Sequence, residues 1–202
     1  MSLKLHNLTA PWRAEHLFCN FLPAFPIAIV FGAFLLFSTE SFGQANNEYR
    51  SVQTGLWSDL LTWERYNGGT MTWNTPTAFQ GPPNSSKNLI TVRSTHVVTV
   101  DLNTTADQFT IEAGAQVVIN TGFNFTIGPG SGTDMTVNGI FEFSGTVTKS
   151  AGAVIAINGT VINRAGSFTI MGTGFLIFNA NSIYRHLRNA GGIPNANWHP
   201  SS

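Results

Sequence analysis

Tryptophan residues are the clearest candidates for ligand binding in this sequence. Trp57 and Trp63 lie six residues apart in GLWSDLLTW, and Trp73 follows in the polar stretch TMTWNTP. An exposed indole ring can stack on a sugar, whereas an indole among apolar residues is usually buried. The leucines around Trp57 and Trp63 favour burial, so we expect these two residues to be structural packing residues. Trp73 and Trp198 lie in polar surroundings and are the candidate ligand-binding residues, with packing as the alternative for each.

Pairs of carboxylates are the residues that would make this chain an enzyme acting on polysaccharides. A glycosidase needs two carboxyl groups roughly 5 to 9 Å apart. The eight acidic residues that follow Glu40 form no tight motif, and no Asp-x-Asp spacing occurs that would indicate a calcium cluster. Asp101 and Glu142 fall in or beside predicted strands and could share a face of the solenoid, although any other pair could do so by chance. We therefore predict no catalytic residue and keep a partial or degenerate polysaccharide lyase or glycosidase as the alternative.

Metal and cofactor chemistry has little support in the residue pattern. A zinc site needs His or Cys ligands that come together, whereas His96, His186 and His199 are scattered, and the single cysteine, Cys19, lies near the start of the chain. The glycine-rich GPGSG at 128–132 lacks the Lys-Ser/Thr ending of a phosphate-binding loop. We therefore predict no metal and no cofactor.

The charge balance argues against a nucleic acid partner. The chain carries ten basic and ten acidic residues, and residues 1–43 contain two of each, which leaves eight of each in the rest. Nucleic acid binding depends on a clustered basic surface, and no basic stripe is present in the sequence. We therefore expect no nucleic acid partner.

The first 43 residues have the order of a secretory signal segment. Lys4 and Arg13 give a basic start, residues 21–37 form an uncharged apolar run, and small residues precede a predicted cleavage between Gly43 and Gln44. A retained membrane anchor is the alternative, and the membrane would then be contacted only through this segment. We predict cleavage because the apolar run is short for a membrane span and contains two prolines. The protein is therefore expected to be secreted or held at the outer cell surface.

Short apolar runs alternate with turns that contain glycine, asparagine and serine from residue 89 onward. Within several runs, apolar and polar residues alternate, as at Phe123, Phe125 and Ile127, and Phe141 and Phe143 flank a polar residue in the same way. Alternation with a period of two is the pattern of a β-strand with one buried face.

An internal repeat indicates how these strands are arranged. AGAQVVIN at 113–120 returns as AGAVIAIN at 151–158, 38 residues later. We interpret that offset as two coils of about 20 residues each, with the two copies at equivalent positions on stacked coils. The sequence thus predicts an all-β fold, a right-handed parallel β-solenoid (β-helix) with an N-terminal cap. An antiparallel β-sandwich, which also contains many short strands, is the alternative.

These patterns divide the chain into four predicted segments. They are a signal peptide at 1–43, an N-terminal cap at 44–88, a β-solenoid at 89–182 and a linker-like C-terminal segment at 183–202, with the chain expected to continue beyond Ser202. The cap, with Trp57 and Trp63, would cover the first coil, whose open strand edges would otherwise invite aggregation. The run FLIF at 175–178 is apolar on both faces, so we expect residues 182–198 to cover Phe178.

Two stretches resemble segments of known protein families. WSDLLTW, the two prolines at 82–83, and HVVTVD followed by FTIEAGA resemble the opening of G8-like modules in secreted and surface proteins. IYRHLRNAGGIPNANW is similar to a segment of large bacterial surface proteins that are exported by the type IX route. The G8-like resemblance covers about residues 55–120 and implies an architecture rather than an activity. His96, at the start of HVVTVD, matches that pattern and is expected to be structural.

The resemblance implies a secreted or cell-surface, non-catalytic module with a scaffold or adhesin role. An extracellular polysaccharide or a cell-surface glycan is the expected partner, because long solenoid faces suit extended polymers. The oligomeric state stays open. An ice-binding solenoid would need regular Thr-x-Thr ladders, and we find no such regular repeat in the sequence.

Overall fold

Short strands and tight turns make up almost all of residues 44–202, the part of the chain that the structure describes. This computed structural model contains nineteen strands and, among the described residues, one single-turn 3-10 helix, Leu60–Thr62. The predicted signal segment 1–43, with Gly43, lies outside the described residues, and Gln44 is the first residue within them.

The strands form three sheets. Sheet 1 contains β1 (Tyr49–Ser51), β3 (Trp63–Asn67), β4 (Thr72–Asn74), β5 (Ile90–Val92), β8 (Phe109–Ile111), β11 (Met135–Val137), β14 (Ile155–Ile157), β17 (Leu176–Phe178) and β19 (Asn197–Trp198). Sheet 2 contains β2 (Gly55–Leu56), β6 (Val97–Val100), β9 (Gln116–Ile119), β12 (Ile140–Phe143), β15 (Thr160–Asn163) and β18 (Ile183–His186). Sheet 3 contains β7 (Thr104–Ala106), β10 (Asn124–Ile127), β13 (Thr146–Lys149) and β16 (Ser167–Ile170).

The chain visits the three sheets in turn and coils upon itself. Strands β8, β9 and β10 lie in sheets 1, 2 and 3, and β11 then returns to sheet 1 beside β8 in parallel register. Parallel pairing of this kind continues over about five turns, so the predicted parallel β-solenoid is confirmed. The alternative antiparallel sandwich is wrong, because among the described strands only the pairs β1–β3 and β3–β4 are antiparallel.

Alternating side chains place the apolar residues inside the coil. Phe125 and Ile127 on β10 are fully buried, and on β12 Phe141 and Phe143 are buried on either side of the outward-facing Glu142. Each inward residue lies directly above its partner on the next coil, because parallel in-register pairing stacks equivalent positions. Burial of this continuous apolar column is the main stabilising contribution to the fold.

The repeated AGA segments do not occupy equivalent positions, although they led to the correct fold. The strand that follows the first copy, β9, belongs to sheet 2, and the strand that follows the second copy, β14, belongs to sheet 1. What the copies share is a turn in which Gly114 and Gly152 adopt φ values of 82° and 84° before a buried alanine. Such φ values suit glycine, so the repeat reflects one turn type used at two different corners of the coil.

Asparagine side chains form a true ladder at the corner between sheets 1 and 2. The Asn158 amide donates a hydrogen bond of 2.8 Å to Asn138 on one neighbouring coil and accepts one of 2.7 Å from Asn179 on the other. Gly139 and Gly159 follow two of these residues, and a Cβ on Gly159 would collide with the carbonyl oxygen of Gly139. The Asn-Gly sequence therefore recurs because the amide pairs and because the backbones approach too closely for a side chain.

Aromatic rings line the axis of the coil from its first turn. Trp57 packs edge to face against Trp63 and Phe125, with ring centroids 5.0 and 5.3 Å apart, and Phe125 continues the contact to Phe141 at 6.3 Å. Both indole N–H groups are paired inside, Trp57 Nε1 with the carbonyl oxygen of Pro83 and Trp63 Nε1 with that of Trp57, each at 2.9 Å. Buried indoles need such partners.

The segment predicted as a cap also provides the first strands of the solenoid. Strands β1 and β2 pair in parallel with β5 and β6, and the antiparallel hairpin β3–β4 continues sheet 1 beyond β1. The turn between β2 and β3 is the 3-10 helix, and the Asp59 carboxylate caps it by accepting from the Leu61 N–H at 2.9 Å.

At the other end, the sheets extend into the segment that we expected to be linker-like. Strand β18 pairs with β15, and the two-residue strand β19 pairs with β17. The Trp198 ring stacks on Phe178 with centroids 4.1 Å apart and an interplanar angle of 14°. Phe178 is fully buried, as expected, but Phe175 in the same run is 57% exposed, so the C-terminal residues cover the end of the core and leave Phe175 uncovered.

Replacing Trp57 by alanine tests the aromatic column. The change removes a fully buried indole and leaves a cavity between Trp63 and Phe125, so we expect a loss of about 3–5 kcal/mol in the free energy of unfolding. Urea denaturation of the variant measures this. Phe79→Ala is the control, because the Phe79 side chain is fully exposed and its removal should change stability by less than about 0.5 kcal/mol. Equal effects of the two changes would contradict the described packing.

Replacing Phe178 by aspartate tests the cover at the C-terminal end. An unpaired carboxylate in the buried position should lower the free energy of unfolding by more than about 2 kcal/mol. The matched control is Phe175→Asp, since Phe175 is 57% exposed three residues earlier. An unchanged melting curve for the Phe178 variant would show that the C-terminal segment does not cover this residue.

Candidate functional site

Trp73 lies on the outer face of sheet 1, where the β3–β4 hairpin holds it. Tyr66 and Trp73 are opposite each other in the hairpin, and their rings pack with centroids 5.3 Å apart. Because cross-strand partners share a face, the two rings form one aromatic surface at the end of the sheet. Trp73 is half-buried there.

A guanidinium group covers part of the Trp73 ring. Arg50 Cζ lies 4.0 Å from the ring centroid, and the same guanidinium pairs with the Glu64 carboxylate at 2.8 Å. The Trp73 Nε1 donates to Gln44 Oε1 at 3.0 Å. A cation over an indole face and a fixed indole N–H both restrict the ring, so Trp73 is held in one orientation.

A groove of about 230 Å³ opens beside this ring, and we call it the Trp73 groove. Its lining residues are Gln44, Glu48, Tyr49, Arg50, Trp73, Leu89, Thr91, Arg93 and Glu112. Arg93 forms no ion pair within residues 44–202. The Glu112 carboxylate accepts from the Ser94 N–H at 2.8 Å. The groove thus combines a planar aromatic ring with charged donors and acceptors.

The other tryptophans have packing roles in this structure. Trp57 and Trp63 are fully buried, and neither can contact a ligand without unfolding of the first coil. Trp198 is 40% exposed, because one face of its ring lies on Phe178 and its edge contacts Tyr184. The opposite face of Trp198 is the part that a ligand could reach.

The two carboxylates singled out for catalysis are separate and engaged. Asp101 accepts from the Ser58 N–H at 3.0 Å and from its hydroxyl at 2.5 Å, which ties the first coil to the second. Glu142 pairs with Arg164 and accepts a further hydrogen bond from Gln116. The two residues lie on coils that are separated by β9. The structure therefore does not bring Asp101 and Glu142 together as a catalytic pair.

His96 has a structural role, as expected. Its Nδ1 lies 2.8 Å from the Ser51 hydroxyl, and that hydroxyl oxygen also accepts from the Arg93 N–H at 2.9 Å.

Across residues 44–202, no group of three or more His, Cys, Asp or Glu side chains is placed to hold a metal ion. In the same residues, no helix has the length and apolar character that crossing a membrane requires.

A buried ionic cluster at the corner between sheets 3 and 1 was missed by sequence reasoning. Lys149 is fully buried, and its ammonium donates to the carbonyl oxygens of Ser150 at 3.2 Å and Thr173 at 2.9 Å. Asp134 is buried beside it and accepts hydrogen bonds from the backbone N–H groups of Gly130 and Val154. The alternation in TVTK places Lys149 on the inward side with Val147, and that pattern could have revealed it.

Burial shifts the pKa values of two ionisable groups at this corner. It lowers the pKa of Lys149, an effect that the Asp134 charge opposes. It also raises the pKa of Asp107, and the charge of Asp134 adds to that increase. Both shifts arise mainly from desolvation, which disfavours the charged form of each group.

No protein-family model, curated protein or solved structure matches this chain. The resemblance to G8-like modules and to type IX surface proteins therefore depends on the sequence motifs alone.

Replacing Asp107 by asparagine tests whether an ionised Asp107 destabilises the corner between sheets 3 and 1. Because the pKa of Asp107 is raised in the folded state, its contribution to stability is greatest below the ordinary pKa and falls as the pH rises through the raised pKa. We expect Asp107→Asn to remove that fall and to be more stable than the wild type at neutral pH. Urea denaturation over a pH series measures the difference, and a difference that does not change with pH would contradict the assignment.

Proposed function

We propose that this chain is an exported, non-catalytic β-solenoid module with a scaffold or adhesin role at the cell surface, and that it binds glycans. The secretory pattern of residues 1–43 and the resemblance to surface proteins of the type IX route support the location. The coiled architecture supports the scaffold role, because each coil is held by its neighbours and the outer faces are free to vary.

The position of Trp73 is the observation that carries the glycan-binding role. The ring lies beside a groove, and Arg50 and Gln44 hold it in place. A fixed aromatic surface loses little conformational entropy when it stacks on a sugar ring, so such a site is preorganised for binding.

The polar residues of the Trp73 groove supply the hydrogen bonds that a sugar needs. Arg93 offers several N–H donors, and Glu112 and Thr91 offer acceptors around the same opening. A guanidinium can also pair with a carboxylate or sulfate group in a two-point contact. We therefore propose that this groove takes an acidic sugar, with its apolar ring face on Trp73.

A glycan array probed with the purified full chain tests this function. We expect binding to uronic-acid-containing or sulfated glycans, and we expect Trp73→Ala and Arg93→Ala to weaken it at least tenfold, since each removes one part of the contact. Phe79→Ala should leave it unchanged, because Phe79 is fully exposed and lies outside the groove. Thermal melting of each variant confirms that it is folded.

Two results would contradict glycan binding in the Trp73 groove. A folded chain that binds no glycan on the array would overturn the glycan-binding role and leave the scaffold role alone. Binding that is retained in both folded variants would place the glycan elsewhere than in the Trp73 groove.

A further inference from the structure

The outer face of sheet 3 carries an ordered array of uncharged polar side chains. Four threonines occupy one column on adjacent strands in register: Thr105, Thr126, Thr148 and Thr169. A second column on the same face contains Asn124, Thr146 and Ser167. Neighbouring strands are about 4.8 Å apart, so the first column spans about 14 Å along the axis of the coil.

Hydrogen bonds within the array fix its side chains. Thr148 Oγ1 donates to Asn124 Oδ1 at 3.2 Å, and Asn124 Nδ2 donates to Thr126 Oγ1 at 3.3 Å. The Ser167 hydroxyl donates to Thr146 Oγ1 at 3.3 Å. Threonine is also stiff at χ1. The array therefore presents hydroxyl and amide groups in set directions, with hydrogen-bonding capacity that these contacts leave unused.

A loop forms a wall beside the first two strands of this array. The space between the loop and the sheet, which we call the sheet 3 cleft, has a volume of about 370 Å³, and its lining includes Pro83, Asn84, Asn103, Thr105, Asn124 and Thr126. The Pro83 carbonyl accepts the hydrogen bond from the buried Trp57 indole. The wall is thus anchored to the aromatic column, and the cleft exists before any ligand arrives.

The chemistry of the sheet 3 cleft selects an uncharged ligand. Its lining consists of Asn, Ser, Thr, Pro and Leu residues and contains no ionisable side chain. A uronic acid or a sulfate would lose hydration there without gaining a cationic partner. Hydroxyl groups of a neutral sugar, by contrast, can both donate to and accept from amides and hydroxyls.

The loop at 82–85 also favours a polymer chain over an ice surface as the ligand of this face. The threonine column is a single file and not the regular Thr-x-Thr ladder of an ice-binding face, in agreement with the sequence analysis. Three of the four strands lack threonine at the position two residues before, and the coil length changes between 21 and 22 residues. An ice crystal face would need an unobstructed plane, whereas the loop at 82–85 stands beside this one. A single polymer chain can lie along the wall.

We propose that the sheet 3 cleft binds a chain of neutral polysaccharide, which runs along the threonine column from coil to coil. This site shares with the proposed function only the general class of ligand, a glycan. It lies on a different sheet from the Trp73 groove. It assigns acidic glycans and neutral glycans to separate surfaces of one module.

Affinity electrophoresis of the purified full chain in gels containing xylan, laminarin, galactomannan or dextran tests the proposal, with alginate as the acidic comparison. We expect retardation by at least one neutral polymer. The double change Thr126→Val and Thr148→Val keeps the β-branched shape and removes two hydroxyls, and we expect at least a tenfold loss of affinity for that polymer. The matched control is Thr110→Val with Thr136→Val, two outward threonines on adjacent strands of sheet 1.

Several outcomes would overturn the assignment. A folded chain that no neutral polymer retards, or equal losses in the sheet 3 and sheet 1 double variants, would remove the cleft as the site. So would loss of neutral binding in Trp73→Ala with no effect of the sheet 3 variant. Shaping of ice crystals that depends on Thr126 and Thr148, without polymer binding, would show an ice-binding face instead. Unchanged alginate binding in Trp73→Ala would contradict only the proposed acidic-glycan site. The measurements with neutral polymers would still test the sheet 3 cleft.

Discussion

Backbone hydrogen bonds between successive coils fix the register of this protein, and that register determines what each position can contain. In-register parallel pairing places each residue over its counterpart, so inward positions are apolar on successive coils, with Lys149 as an exception, and a corner turns at the same point on each coil. The Asn138–Asn158–Asn179 ladder and the close glycine backbones beside it follow from that constraint. The outward side chains are not restricted in this way, and both proposed binding surfaces consist of outward side chains.

The core and the surface are connected through Trp57. Its ring begins the aromatic column, and its indole N–H holds the loop that walls the sheet 3 cleft. Burial of this residue therefore stabilises the first coil and shapes a surface opening at the same time. The Trp73 groove depends instead on the antiparallel hairpin at the end of sheet 1, and on the contact between Trp73 and Arg50. The two surfaces can vary independently.

Local patterns in the sequence were sufficient for the fold class and for the burial of Trp57 and Trp63. Alternation at Phe141 and Phe143, for example, reports directly which side of a strand is inside. Long-range placement was harder to predict. The AGA repeat marks a turn type rather than a stacked position. The alternation in TVTK points Lys149 inward, but the Thr173 carbonyl that accepts from its ammonium lies on the next coil, which no local pattern shows. The threonine column was missed because it depends on register between coils of unequal length.

The direction of the ladders has a mechanical consequence. Strands lie across the coil, so the hydrogen bonds that join one turn to the next point along its axis, with the β3–β4 hairpin and Trp198 at its two ends. Tension between those ends acts on all the ladders in series, so they would open one at a time, the weakest first. Each turn that gave way would release roughly 70 Å of extended chain, so the module would yield in steps and dissipate work while the remaining turns stayed closed.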